Sequence, residues 1–138
     1  IADYCRKTGQ KVPVSKNETI RIALEGLALK YREVLENLRS MTGKKLETLY
    51  IVGGGTQNKL LNQMAASATS CKVITGPVQA TSVGNIITQM MGNGEIHSLN
   101  EARQLIQDSL EPVEYFPEDL ANWEDAYKRY SSLKNSTN

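Results

Sequence analysis

The chain has 138 residues, of which 40% are hydrophobic and 22% are charged. This composition suits one globular domain and excludes a disordered chain, a collagen-like repeat and a disulfide-rich miniprotein. Sixteen basic and 15 acidic residues leave a net charge of +1, which predicts no binding to nucleic acid. The apolar runs are far shorter than the ~18 residues of a membrane helix, so no membrane partner is expected.

Cysteine usage and the ends of the chain predict a cytoplasmic protein that is longer than this sequence. Cys5 and Cys71 lie far apart and are expected to be reduced thiols. With no Cys-x-x-Cys pair and a single histidine, His97, no metal site is expected. The chain starts at Ile1 inside a predicted helix, residues 1–7, which indicates that a further part precedes it. Residues 131–138 are predicted to form an irregular polar end.

A long helix is predicted between Ser15 or Asn17, either of which can cap it, and Gly43, which ends it. Its apolar residues recur in alternating steps of 4 and 3, which define one helical face. We expect that face to lie in the core of a globular domain, the alternative being a coiled coil. The face comprises Ile20, Leu24, Leu27, Tyr31, Val34, Leu38 and Met41, widened by Ala28 and Leu35.

Strand and helix patterns alternate in the middle of the chain. Residues 46–52 and 71–74 are predicted strands, the first with residues 49–52 buried, and residues 58–69 are a predicted helix. The side chains expected to point inward from that helix are Leu60, Leu61, Met64 and Ala68. Three further helices are predicted. The first begins at Thr81 or Ser82 and the second at Ser98. The third spans residues 120–130 and follows a loop with Pro112 and Pro117. The pattern predicts an α/β fold that is rich in helix, with a small central sheet.

The most informative segment is Gly53-Gly54-Gly55-Thr56-Gln57-Asn58, which joins a predicted strand to a predicted helix. Glycine permits positive φ and lets a ligand approach the main chain closely. The following helix start offers unpaired N–H groups and the positive end of the helix dipole. The amide of Asn58 can donate and accept hydrogen bonds. The segment therefore suits part of a nucleotide, although a tight packing turn explains it equally well, since it matches neither common phosphate-binding motif.

Several motifs, in a matching order and spacing, resemble the C-terminal domain of the FGGY carbohydrate kinases, within the superfamily of actin, Hsp70 and sugar kinases. The resemblance extends from residue 1 to about residue 130 and favours the branch that acts on L-rhamnulose. The motifs are Tyr4-Cys5-Arg6, Gly26-Leu27-Ala28-Leu29-Lys30-Tyr31, Ile51-Val52-Gly53-Gly54-Gly55-Thr56-Gln57-Asn58, Leu60-Leu61-Asn62-Gln63 and Gly76-Pro77-Val78-Gln79-Ala80-Thr81-Ser82-Val83-Gly84-Asn85.

The resemblance implies an actin-like, ribonuclease H-like C-terminal domain spanning residues 1–138, with the sugar-binding domain in an N-terminal part that this sequence lacks. By the same resemblance, Gly54 contacts ATP, Asn58 lies against the adenine, and Gly53 and Gly55 shape the turn. The catalytic base is expected upstream of Ile1, so no residue of this chain is assigned to catalysis or to the metal.

The function implied by the resemblance is transfer of the γ-phosphoryl group of ATP, with Mg²⁺, to the 1-hydroxyl of L-rhamnulose, giving L-rhamnulose 1-phosphate and ADP. Its implied partners are ATP, the sugar and the N-terminal domain of the same protein, and the chain alone is expected to be inactive. Alternatives are an FGGY kinase for xylulose or fuculose, or a non-catalytic nucleotide-binding module. Gly26, Ser67 and Gln79 depart from the family pattern, where serine, aspartate and glutamate are usual.

Overall fold

The computed structural model describes residues 1–135, which form six α-helices, three β-strands and one 3-10 turn. In chain order these are α1 (Ala2–Lys7), α2 (Lys16–Thr42), β1 (Thr48–Ile51), the 3-10 turn (Gly53–Gln57), α3 (Lys59–Thr69), β2 (Lys72–Thr75), α4 (Ala80–Gly92), α5 (Leu99–Ser109), β3 (Glu114–Tyr115) and α6 (Leu120–Asn135). The prediction of a helix-rich α/β fold with a small sheet is confirmed. The predicted irregular end is wrong in part, because α6 continues to Asn135, and residues 136–138 lie outside the described part.

The sheet has the strand order β1-β2-β3. Strands β1 and β2 are parallel, with Leu49 opposite Val73, and helix α3 connects them. Strand β3 pairs antiparallel with β2, with Tyr115 opposite Val73. The prediction of an unstructured loop around Pro112 and Pro117 is therefore wrong at this point. Two residues are too few to show an alternating pattern, and pairing with β2 is what makes this segment a strand.

The local signals at the helix ends are confirmed for α2 and fail for α4. The Ser15 hydroxyl accepts a hydrogen bond from the backbone N–H of Glu18 at 3.1 Å, and Gly43 ends α2 in the left-handed conformation at φ 64°. Neither Thr81 nor Ser82 caps α4, which already begins at Ala80 after Gln79, whose side chain makes no capping bond.

The core lies where α3 packs on α2 and on one face of the sheet. One buried cluster joins α2 to α3, with Trp123 of α6 packed against it, and contains Ala28, Leu61, Met64 and Ala68. A second cluster seats α3 on the sheet through Ala65, Ala66 and Val73. Helix α3 is thus held from two sides, and its N-terminus stands at the carboxyl end of β1.

The predicted core face of α2 is wrong in part, because five of its nine side chains are exposed, whereas Ala28 and Leu35 are buried as predicted. The buried residues of α2 are Ala28, Leu29 and Leu35. The exposed residues of the predicted face are Ile20, Leu27, Val34, Leu38 and Met41. Because α3 presents mainly alanines, α2 approaches it closely through its own small residue Ala28, and the neighbouring row of larger side chains points away.

Predictions of burial are also wrong in part at β1 and in α3. Tyr50 and Val52 are 71% and 55% exposed. Side chains along β1 alternate between the two faces of the sheet, and the core covers only one of these faces. Leu60 is also exposed, whereas Leu61 and Met64 are buried as predicted. Among residues 1–135, no helix combines the length and the apolar character that crossing a membrane requires.

Helix α6 is tied to α2 through the carboxylate of Glu33. Tyr130 donates its hydroxyl to Glu33 Oε2 at 2.8 Å, Lys30 donates to the same oxygen at 3.1 Å, and Lys134 pairs with Oε1. The hydrogen bonds from Lys134, Tyr130 and Lys30 lower the pKa of Glu33 from 4.5 to about 2. Burial, with the hydrogen bond to Glu33, raises the pKa of Tyr130 to about 12.

Candidate nucleotide-binding turns

Two turns meet at the carboxyl ends of the parallel strands β1 and β2. The first is the glycine turn, Gly53–Gln57, and the second, residues 76–79, we call the proline turn. The N–H of Gly76 donates to the carbonyl of Ile51, and the N–H of Gly53 donates to the carbonyl of Pro77, both at 2.8 Å. In open sheets with parallel strands, ligands bind outside these strand ends. The two turns that are distant in sequence thus form one candidate site.

Lack of space for a side chain explains Gly76, the glycine of the proline turn. A Cβ built on Gly76 would lie 2.8 Å from Cγ1 of Val52. Any side chain at position 76 would therefore require the side chain of Val52, the residue after β1, to move. Gly76 belongs to the framework of the site rather than to its ligand-facing surface.

Steric reasons account for Gly53 but not for Gly54 or Gly55, where a Cβ would meet nothing within 4 Å or only Ile51 Cγ2 at 3.7 Å, an ordinary contact. Gly53 has φ +80°, a conformation that side chains rarely adopt. Gly54 has an ordinary φ, is exposed, and a Cβ built there would meet nothing within 4 Å. Glycine at 54 leaves a free approach to the backbone, as close contact with a ligand requires.

Asn58 caps α3 and remains accessible. Its Oδ1 accepts a hydrogen bond from the N–H of Leu61 at 3.0 Å, and the residue is exposed. Its Nδ2 has no acceptor among the described residues. The acceptor half of the amide is therefore used by the fold, and the donor half is available to a ligand.

Two residues that build the site were not assigned to it from the sequence. The hydroxyl of Thr56 donates to the carbonyl of Gly53 at 2.8 Å, and Nδ2 of Asn62 donates to the carbonyl of Thr56 at 2.9 Å. Asn62 is fully buried. The signal available in the sequence was an amide among the apolar residues Leu61 and Met64 in the first turns of α3.

The electrostatics of the two turns favour an anion. Neither residues 53–58 nor residues 76–79 include a carboxylate, and the N-terminus of α3 adds its dipole. The described groups with a shifted pKa lie elsewhere: Glu33 and Tyr130, together with Glu47 and Glu124, whose pKa values are lowered by hydrogen bonds from Lys45 and Arg32.

The donor set does not fit a metal ion held by this chain alone. Within residues 1–135, no group of three or more His, Cys, Asp or Glu side chains is placed to hold one. Mg²⁺ in nucleotide sites is usually held by one or two carboxylates and the phosphates. Because residues 53–58 and 76–79 contain no carboxylate, the two turns supply no side-chain ligand of that kind.

Both turns lie in the part of the chain that matches a carbohydrate kinase family. Residues 2–92 match the model of the C-terminal domain of the FGGY family of carbohydrate kinases, and the chain belongs to that family. It is similar to a rhamnulokinase of Bacteroides thetaiotaomicron, with 44% identity over 132 residues. The alignment covers 96% of this chain and 27% of that relative, so the chain spans about a quarter of the relative's length.

These findings confirm the resemblance to the FGGY carbohydrate kinases. The structure places Gly53, Gly54, Gly55 and Asn58 side by side at the end of β1. Their contacts with ATP and adenine stay predictions.

Proposed function

We propose that the protein containing this chain transfers the γ-phosphoryl group of ATP to the 1-hydroxyl of L-rhamnulose, and that this chain binds ATP, with Asn58 at the adenine and the glycine turn at a phosphate. The observation that carries the proposal is the exposed glycine turn, joined to the proline turn at the carboxyl ends of two parallel strands. The choice of sugar is supported by the similarity to a rhamnulokinase.

The chemistry assigns separate tasks to the turn and to the rest of the protein. Phosphoryl transfer depends on positioning and electrostatic stabilisation, with little covalent work for the protein. The backbone at Gly54 and the N-terminus of α3 orient the nucleotide, and Nδ2 of Asn58 donates to an acceptor on the adenine. A carboxylate that accepts the proton of the sugar hydroxyl is expected in the N-terminal part of the protein, and Mg²⁺ is expected to accompany the phosphates.

The arrangement of the whole protein is part of the same proposal. An actin-like C-terminal domain and an N-terminal sugar-binding domain would enclose ATP and sugar in the cleft between them, in a cytoplasmic enzyme. Closure of such a cleft excludes water and aligns the reacting groups. The 138-residue chain alone is expected to release no ADP, because the catalytic base and the sugar-binding side of the cleft are expected in the N-terminal part of the protein.

The experiment that tests this function is an ADP-release assay of the full-length protein with Mg-ATP and a panel of ketoses. Release with L-rhamnulose alone is the expected result. Release with xylulose or fuculose instead would keep the kinase and correct its substrate. A folded protein that binds ATP but releases no ADP with any sugar would be the non-catalytic alternative.

The role of the glycine turn is tested by Gly54→Ala. The substitution meets no atom of this chain, so the unfolding midpoint should stay unchanged. A lost contact with a charged phosphate corresponds to about 1.5–3 kcal/mol, so the KM for ATP should rise more than tenfold. Gly84→Ala is the matched control, because Gly84 is equally exposed and unhindered but lies within α4. An unchanged KM for ATP in the Gly54 variant would contradict the assigned contact.

A further inference from the structure

Asn62 connects the buried side of α3 to the exposed glycine turn. Its side chain is fully buried, and Nδ2 donates to the carbonyl oxygen of Thr56 at 2.9 Å. The hydroxyl of Thr56 donates to the carbonyl of Gly53 at 2.8 Å, and the N–H of Gly53 donates to the carbonyl of Pro77 at 2.8 Å. A continuous series of hydrogen bonds therefore runs from the core, through the glycine turn, to the proline turn.

The stability of the fold gives no reason for asparagine at position 62. The Oδ1 atom of Asn62 is buried without a hydrogen-bond partner in the structure. A buried unpaired acceptor is unfavourable, and an apolar side chain of the same branched shape would avoid it. Exchanging the two amide atoms does not help, because Oδ1 would then face the Thr56 carbonyl oxygen. What the amide provides is one directed donor to the turn.

The site is sensitive to that donor because, among the described contacts, Asn62 provides the one side-chain hydrogen bond that reaches the glycine turn from another element. Gly53, Gly54 and Gly55 have no side chains, and Gly54 and Gly55 are exposed. Backbone N–H groups bind a phosphate only when they are held in a fixed direction, since binding otherwise includes the entropy of ordering the turn. The Thr56 carbonyl is the point at which α3 can fix that direction.

We infer that Asn62 is a positioning residue, which orients the glycine turn for the nucleotide through the carbonyl of Thr56. The inference rests on the proposed function of the turn. Asn62 does not contact the nucleotide, and its loss affects binding of ATP and not of the sugar.

The test is steady-state kinetics of the full-length protein carrying Asn62→Leu, which keeps the branched shape but cannot donate. The KM for ATP is expected to rise roughly fivefold, which corresponds to about 1 kcal/mol, while the KM for the sugar stays unchanged. The matched control is Ser67→Ala, a buried polar residue of the same helix whose hydroxyl accepts from the N–H of Glu118, far along the chain from the turn. It should lower the unfolding midpoint and leave the KM for ATP unchanged.

A second variant keeps the inference testable if Asn62→Leu does not fold. Thr56→Val removes the hydroxyl bond to Gly53 on a partly exposed residue, and the KM for ATP should again rise. A folded Asn62→Leu protein with an unchanged KM for ATP would overturn the inference, as would an unchanged Thr56→Val protein where Asn62→Leu is unfolded. If the wild-type protein binds ATP but phosphorylates no sugar, the same comparison is made on the calorimetric Kd for ATP. A wild-type protein that binds no ATP overturns the inference together with the function of the turn.

Discussion

Helices α3 and α4 each follow a parallel strand and a turn that contains glycine, yet only α3 is buried. Eight of the 11 residues of α3 are buried, whereas none of the 13 residues of α4 is, although α4 is rich in apolar residues. Helix α3 lies between α2, α6 and the sheet. Within residues 1–135, nothing covers α4 to the same extent. Helix α3 is therefore a fixed support for the glycine turn, whereas the segment before α4 contributes the backbone of the proline turn.

The largest expected effect contrasts one apolar residue of each helix. Leu61 is 7% exposed and Ile86 is 57% exposed. In the 138-residue chain, Leu61→Ala should lower the free energy of unfolding by about 2–4 kcal/mol, the usual effect of a cavity in a core. Ile86→Ala should lower it by about 0.5 kcal/mol or less. Urea unfolding at two protein concentrations measures both values.

These two variants can contradict the conclusion that α3 is buried and α4 is exposed. Equal losses of stability would show that α4 is buried in solution, and a dependence on concentration would point to association between copies of the chain. The same two variants in the full-length protein sharpen the result. A loss above about 1 kcal/mol for Ile86→Ala only there would show that the remainder of the protein covers α4.

A smaller effect is expected from pH, because the carboxylate concerned, Glu33, ties α2 to α6 and belongs to neither α3 nor α4. Helix α4 contains no charged residue, whereas Glu33 ties α2 to α6 with a pKa lowered to about 2. A lowered pKa in the folded state stabilises the fold above the unfolded value of about 4.5, and this stability is lost as the pH falls towards 2. The expected size is about 1–3 kcal/mol.

Glu33→Gln measures that contribution in the 138-residue chain. The variant should be less stable than wild type at about pH 7 and should show a flatter decline between about pH 4.5 and about pH 2. Glu25→Gln is the matched control, since within residues 1–135 the recorded ion pair of Glu25 is with Arg21 on the same helix. An identical pH profile of the wild type and the Glu33 variant would show that the tie between α2 and α6 carries no pH-dependent stability.

Local signals in the sequence predicted the elements that depend on local chemistry. Ser15 and Gly43 marked the ends of α2 because capping and left-handed termination involve only a few neighbouring residues. The glycine turn was predicted in the same way, as a segment between a strand and a helix. Local chemistry selected the turn and Asn58 as suited to part of a nucleotide but explained them equally well as a packing turn, and the family resemblance decided between the two.

Features that depend on tertiary contacts were not predicted. The exposure of Val34, which periodicity placed in the core face of α2, follows from the alanines that α3 presents to that helix. Strand β3 exists because β2 pairs with it. The role of Asn62 depends on a carbonyl six residues earlier that reaches it only after the glycine turn has folded back.

The smallest effects are expected at the N-cap positions of α3 and α4, where the two helices can be compared most directly. Asn58 accepts from the N–H of Leu61, whereas the side chain of Gln79 makes no capping bond. Asn58→Ala should lower the free energy of unfolding by about 1 kcal/mol, and Gln79→Ala should leave it unchanged. Asn58→Asp keeps the acceptor that caps α3 but loses the donor assigned to the adenine, so it should preserve stability and raise the KM for ATP. Unfolding without ATP and kinetics with ATP, measured on all three full-length variants, separate the two halves of this amide. If Asn58→Asp preserves both stability and the KM for ATP, Asn58 serves the fold alone and the adenine contact must be assigned to another residue.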